Sequence, residues 1–214
     1  MIRLTPNKYP GKLIVFEGTD GAGKSTIMQL SAEYIKDKYG KDKLLLVKQP
    51  TDLSRKTKLF QKMMYSADHK DINYRAVQLL TLSDRIQHNH EVIIPELKKG
   101  KIILSDRYIF TSIANMLARG YCNEKWFFEA CREIIRPNIS FLAYSPPETA
   151  ICRIKERPEE KDRYLDETQL KNVAEQFIRM VKKERLSFIS TNQKPQAAFR
   201  AVKNKLDRVL EKVI

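Results

Sequence analysis

Runs of mostly apolar residues of strand length recur along the chain, at Leu13–Phe16, Leu44–Val47, Ile102–Leu104, Ile139–Ala143 and Leu186–Ile189. Their hydrophobicity is continuous rather than alternating, so each predicted strand has both faces covered, which is the pattern of a parallel sheet between helices. Stretches of helical period separate them, at Thr26–Lys38, Tyr74–Lys99 and Thr168–Lys183, and a last one runs from Pro195 to the end. Pro195 suits the first turn of that helix, where its missing N–H costs nothing. Five strands alternating with helices predict an α/β fold, a five-stranded parallel sheet with helices on both faces, built as a single domain over residues 1–214.

Composition agrees with this reading. A chain of 214 residues that is 42% hydrophobic can bury a core, and seven glycines and nine prolines are too few for a linker-rich or collagen-like chain. No apolar run approaches the roughly 18 residues of a membrane span. Met1–Gly11 mixes Arg3 and Lys8 with Pro6 and Pro10 and lacks the apolar stretch of a secretory signal. Cys122, Cys131 and Cys152 are irregularly spaced, with no CxxC pair. A cytoplasmic protein with no membrane partner is expected. Forty Lys plus Arg against 26 Asp plus Glu give a net charge of +14. That excess attracts nucleic acid, an anionic surface or a small polyanionic substrate alike, so position has to decide.

Position decides at Gly18-Thr19-Asp20-Gly21-Ala22-Gly23-Lys24-Ser25, a full match to GxxxxGK[ST] between a predicted strand and a predicted helix that opens near Thr26. A chain of this size would match the pattern by chance about once in a hundred times. Three glycines let backbone N–H groups turn inward around phosphate oxygens, and the helix adds its positive N-terminal end. Lys24 is predicted to reach the β- and γ-phosphates of ATP, and the Ser25 hydroxyl to ligate Mg²⁺. Ile102–Leu104 ends in Ser105-Asp106-Arg107. Asp106 is the candidate partner of the metal, and Arg107, at the carboxyl edge of the sheet, is a candidate to grip a phosphate.

These residues carry a resemblance over nearly the whole chain to the thymidylate kinase family of nucleoside monophosphate kinases. Phe16-Glu17-Gly18-Thr19-Asp20-Gly21 resembles the family's FEGxDG opening, and Leu82–His88 its ADRxQH segment. Ser105-Asp106-Arg107-Tyr108 resembles its DRY strand end. Pro146-Pro147-Glu148, with Arg153, Arg157 and Asp162-Arg163-Tyr164, is similar to its lid, here residues 153–166. The resemblance implies a P-loop kinase fold with a short basic lid, ATP and Mg²⁺ as cofactors, a nucleoside monophosphate as acceptor and a homodimer. It also implies that members with Gly at the position of Gly21 draw the catalytic arginine from the lid, which makes Arg153, Arg157 and Arg163 candidates beside Lys24. Asp20 resembles the carboxylate near the sugar 3′-hydroxyl and the metal, and Arg85 the residue that meets the base edge. Pro50, Thr81, Ser112 and Asn115 fall in the implied acceptor pocket, where Arg107 is expected to hold the phosphate, helped by Lys48, Arg55, Lys56 or Lys58. Ser190–Lys194 resembles the adenine cup.

Two departures bear on the acceptor. Thr81 stands where the family has a stacking Phe, so either Phe110, Tyr74 or another ring takes over or the base is bound differently. Asn115 stands where it has a Tyr that crowds a ribose 2′-hydroxyl, so weaker selection against ribonucleotides is expected. A free 5′-hydroxyl needs a carboxylate base whereas a phosphate does not. Gln49, uncharged where nucleoside kinases and many thymidylate kinases have Glu, therefore favours a phosphate acceptor, which the resemblance implies is a pyrimidine monophosphate, dTMP or a related one, with Glu17, Asp20 and Asp106 remaining possible bases. A deoxynucleoside kinase is the rival enzyme. A non-catalytic or nucleic-acid-stimulated NTP-binding protein is the rival from another class, disfavoured because the basic residues are dispersed.

Overall fold

The computed structural model describes residues 2–158 and 164–211. Five strands form one parallel sheet in the order β2-β3-β1-β4-β5. They are β1 (Lys12–Glu17), β2 (Leu44–Lys48), β3 (Ile102–Asp106), β4 (Ile139–Tyr144) and β5 (Ser187–Ser190). All five predicted runs are strands, each starting or ending within two residues of the expected bounds.

Continuous hydrophobicity arises because successive residues serve two cores. Leu13, Val15, Ile103 and Leu142 face one cluster, while Ile14, Phe16, Ile102, Leu104 and Phe141 face the other. The first cluster is closed by α4 (Tyr74–His88), α6 (Ile109–Ala118), α7 (Lys125–Ala130) and α9 (Glu167–Glu184), and the second by α1 (Lys24–Tyr39) and α10 (Pro195–Leu210). The edge strand β2 is the exception, with Leu46 exposed.

The helix expected over Tyr74–Lys99 is broken in register. After α4 comes a π turn, Asn89–Ile93, and then α5 (Ile94–Lys98), with Pro95 in its first turn. Proline cannot donate back along the ladder, and the backbone widens by one residue around it. Asn89 repairs the break: its Nδ2 donates to the Arg85 carbonyl at 2.9 Å, and its Oδ1 accepts from the amide of Ile135 at 3.1 Å. The short helices α2 (Asp52–Arg55), α3 (Lys58–Tyr65) and α8 (Pro147–Lys155) stand above the carboxyl ends of the strands or beside them. Those ends meet in register, with Asp106 opposite both Phe16 and Lys48. The lid expected over 153–166 begins inside α8, and its Asp162 and Arg163 lie outside the described residues.

Candidate active site

A cleft of about 370 Å³ opens over the carboxyl ends of β1, β2 and β3. One wall is the turn between β1 and α1. Gly21 holds φ 73° there, and a Cβ at this position would sit 2.2 Å from the carbonyl oxygen of Ala150 in α8. No side chain fits, so an arginine inside this turn is sterically excluded in this chain. Gly23, at φ 79°, caps α1, whose first turn presents Lys24 and Ser25 to the cleft. Thr26, in the same turn, is exposed and is not among the residues lining the cleft. From behind, Thr191 braces the turn: its hydroxyl lies 2.7 Å from the Ala22 carbonyl and 2.9 Å from that of Tyr144. The segment Ser190–Lys194 is thereby tied to the phosphate loop.

Lys24 is only 7% exposed, and its Nζ donates to the Thr19 carbonyl at 2.8 Å. Desolvation, with Arg107 nearby, pulls its pKa down to about 8 against the partial compensation of Asp20, Asp106 and Glu17. Arg107 sits at the end of β3 in a left-handed conformation, φ 66°, which bends the chain back toward the loop. Its Nη1 donates to the Gly18 carbonyl at 2.9 Å and to the Thr111 hydroxyl at 3.1 Å, and its Nη2 pairs with Asp20. Glu17 is fully buried, and desolvation raises its pKa. It accepts from the Tyr108 amide at 3.0 Å and the Thr111 hydroxyl at 2.5 Å, which fixes the start of α6 and with it Thr111 beneath Arg107.

The far wall is built by α2, α3, α4 and α6. Arg85 is 1% exposed, the largest fully buried side chain among the described residues. Its Nε donates to the Tyr108 carbonyl at 3.2 Å and its Nη1 to the Thr81 carbonyl at 3.0 Å. Burial lowers its pKa to about 10, and it remains a cation at neutral pH. Thr81, Ser112, Asn115 and Pro50 line the cleft as expected, and so does Tyr74, whereas Phe110 lies in the core. Tyr74 already carries the guanidinium of Arg119 at 4.2 Å from its ring centre. Asn115 is held on α6, its Nδ2 donating to the Thr111 carbonyl at 2.9 Å and its Oδ1 accepting from Arg119 at 3.0 Å.

Of the basic residues expected near the acceptor phosphate, Lys48 and Arg55 line the cleft, while Lys56 pairs with Asp52 at the surface, 2.9 Å away. Arg55 donates from Nε to the Pro50 carbonyl at 2.7 Å, and burial beside Arg107 lowers its pKa. Arg157 lines the cleft. Arg153 instead rests against the back of the loop, donating to the carbonyls of Gly21 and Thr191, each at 3.3 Å. Gln49 does not face the cleft: it is fully buried, with its Nε2 2.9 Å from His88 Nδ1.

Ser25 and Asp106 line the cleft together, and Asp106 Oδ1 is buried with no hydrogen-bond partner. A buried, unpaired carboxylate oxygen lining the same cleft as a hydroxyl suits Mg²⁺, which takes few protein oxygens and completes its shell with phosphate and water. Among the described residues no group of three or more His, Cys, Asp or Glu could hold a metal ion by itself.

Two residues of the site, Asp84 and Gln78, escaped the sequence reading. Asp84, 1% exposed, accepts from the amides of Thr51 (2.9 Å) and Ser54 (3.0 Å) and from the Thr51 hydroxyl (3.0 Å), anchoring α2 on α4. Gln78 lines the cleft one turn before Thr81. For Gln78 a signal was available: Gln78, Thr81 and Arg85 interrupt the apolar face of a helix at i, i+3 and i+7.

Residues 16–202 match the family model described as thymidylate kinase. The chain is 40% identical over 150 residues to a probable thymidylate kinase of Thermococcus onnurineus, an alignment covering 67% of this chain and 71% of that protein. It is 28% identical over 201 residues to a thymidylate kinase of Limosilactobacillus reuteri, covering 90% and 94%. The crystal structure of thymidylate kinase from Ehrlichia chaffeensis superimposes with a TM-score of 0.68 at 23% identity, covering 92% of this chain and 98% of that one, and so shares the fold.

Proposed function

Because the chain belongs to the thymidylate kinase family, we propose that it transfers the γ-phosphoryl group of ATP to the 5′-phosphate of dTMP, giving dTDP and ADP. The observation that carries this reading is a single cleft with two anion-binding ends, Lys24 and Ser25 in the phosphate loop and Arg55 and Arg107 across from them. Cations at both ends bring two mutually repelling phosphates within reach of each other. Lys24 leaves the Thr19 carbonyl to follow the γ-phosphate. Arg107 and Arg157 offset the charge spread over the transferring group's oxygens. An ionised oxygen of the acceptor phosphate attacks, the bond from the γ-phosphorus to the bridging oxygen breaks, and ADP leaves with that bond's electron pair. No proton has to be removed, and of the two carboxylates lining the cleft Asp20 is committed to Arg107 while Asp106 is the one left for the metal. Ser25 and Asp106 are the residues that would hold Mg²⁺, whose charge would offset that of the triphosphate. Arg153 supports transfer by steadying the loop carbonyl of Gly21.

The cavity-side position of Asn115 favours weaker selection against ribonucleotides. No described helix is long and apolar enough to cross a membrane, and three free thiols suit the reducing cytoplasm. The test is turnover with ATP and Mg²⁺ of dTMP, dUMP, dCMP, UMP, CMP and thymidine. Conversion of dTMP to dTDP is expected, with UMP turned over within about a thousandfold of dUMP. Turnover of thymidine in preference to dTMP overturns the acceptor, and a dTMP preference of a thousandfold or more over every ribonucleotide overturns the role of Asn115.

A further inference from the structure

Besides the Asp106 carboxylate, the Gln78 carboxamide is a polar group on the cleft wall that the fold buries and leaves unused among the described residues. Gln78 is 7% exposed on α4, its Oε1 is buried with no hydrogen-bond partner, and its side chain makes no bond to any described residue. Burying an amide without a partner destabilises a protein, so its persistence in a packed wall points to a partner that arrives with the ligand. Its neighbours along the same helix face are Thr81 and Arg85, both lining the cleft. Arg85 spends Nε and Nη1 on backbone carbonyls, and its Nη2 donates to no described residue.

With Arg85 meeting the base edge as the family resemblance implies, we propose that Gln78 is a further specificity residue of the acceptor site, its Oε1 accepting from N3–H of the base and its Nε2 donating to O4 beside the guanidinium. A carboxamide carries a donor and an acceptor side by side and so matches an edge that carries an acceptor and a donor, and the guanidinium, which only donates, fixes which end is which. Thymine and uracil present that edge. Cytosine turns an amino donor toward the guanidinium at position 4 and is disfavoured. This inference rests on the reading that the acceptor is dTMP and extends it: the hydrogen-bonding edge is selected by Gln78 with Arg85, and Thr81 leaves room for it.

The test compares wild type with Gln78→Met, which keeps length and volume but offers no comparable hydrogen bond. For wild type, kcat/KM for N3-methyl-dTMP is expected to be at least a hundredfold below that for dTMP. In Gln78→Met, KM for dTMP should rise about 10- to 100-fold with KM for ATP unchanged, and the penalty for N3-methylation should shrink to about tenfold or less. The ligand-free variant should melt at or above the wild-type temperature, because an unpaired buried amide has been removed. Equal use of dTMP and N3-methyl-dTMP by wild type overturns the inference without any variant. So does a Gln78→Met protein with wild-type KM for dTMP, or one whose melting temperature falls. If wild type turns over no pyrimidine monophosphate at all, the kinase reading fails and this one with it. Turnover of dTMP by wild type with an indifferent variant sinks this inference alone.

Discussion

Lys24 shows how strongly one side chain's environment shapes its chemistry. Its ordinary pKa of 10.5 falls to about 8 in the folded protein. Below about pH 8 the folded protein therefore holds a desolvated cation that the unfolded chain keeps in water. Between about 8 and 10.5 the folded form sheds this proton first, so the group's penalty fades as pH rises and is absent above 10.5. Lys24→Met should accordingly raise the melting temperature of the ligand-free protein by a few degrees at pH 7, and the difference should vanish near pH 10.5, as read by calorimetry. The same substitution should lower kcat by about a hundred- to a thousandfold. In wild type, kcat/KM for ATP should be level below pH 8 and fall above it as the free enzyme loses the charge that meets the phosphates. A profile that instead rises through pH 8 would remove Lys24 from its role. Stability and catalysis pull this residue in opposite directions, as they do Gln78.

Among the elements, α2 depends most on a single contact. Four residues cannot sustain a helix by their own ladder. Asp52–Arg55 is held because Asp84 of α4 accepts from the Thr51 and Ser54 amides at its N-terminal end. Asp84→Ala leaves these amides without a partner in a buried place and should cost about 2–4 kcal/mol, measured by urea unfolding. Pro50 and Arg55 would lose their anchor, so KM for the acceptor should rise about tenfold or more while KM for ATP stays near wild type. An equal rise in both constants would mean that α2 serves the whole cleft rather than the acceptor end. The element scale also shows where the chain's pattern could be read. Five runs of continuous hydrophobicity marked five strands, and glycines, a lysine and a serine at fixed spacing marked the phosphate loop. The role of Asp84 had no such mark. A carboxylate followed by an arginine at the end of an amphipathic helix looks like a solvated pair until the chain folds and brings the loop after β2 onto it. Arg153 and Arg157 differ in the same way, for two arginines four residues apart read alike in sequence, yet only Arg157 lines the cleft.

Across the whole molecule the +14 charge acts as a field. Attraction of small anions by dispersed cations predicts a modest rise of KM for both nucleotides between 50 and 300 mM salt, and retention on DNA no stronger than that of any basic protein. A steep log-linear loss of DNA affinity with salt, reporting many released counterions, would instead mark a nucleic-acid-binding surface. Both ligands together should raise the melting temperature more than either alone, since each neutralises part of the charge held by Lys24, Arg55 and Arg107.

The amino-acid sequence by itself determined the layers, the parallel sheet, the phosphate loop and the family, because these rest on local periodicity and on residues a few positions apart. The tertiary structure alone decided the rest: that Gln49 turns to His88, that Arg107 meets Asp20, that Arg153 braces the loop from behind, and that Gln78 Oε1 is buried on the cleft wall without a partner among the described residues. Hydrogen bonds and desolvation depend on groups distant in the chain, and those distances exist only once both cores have closed around the sheet.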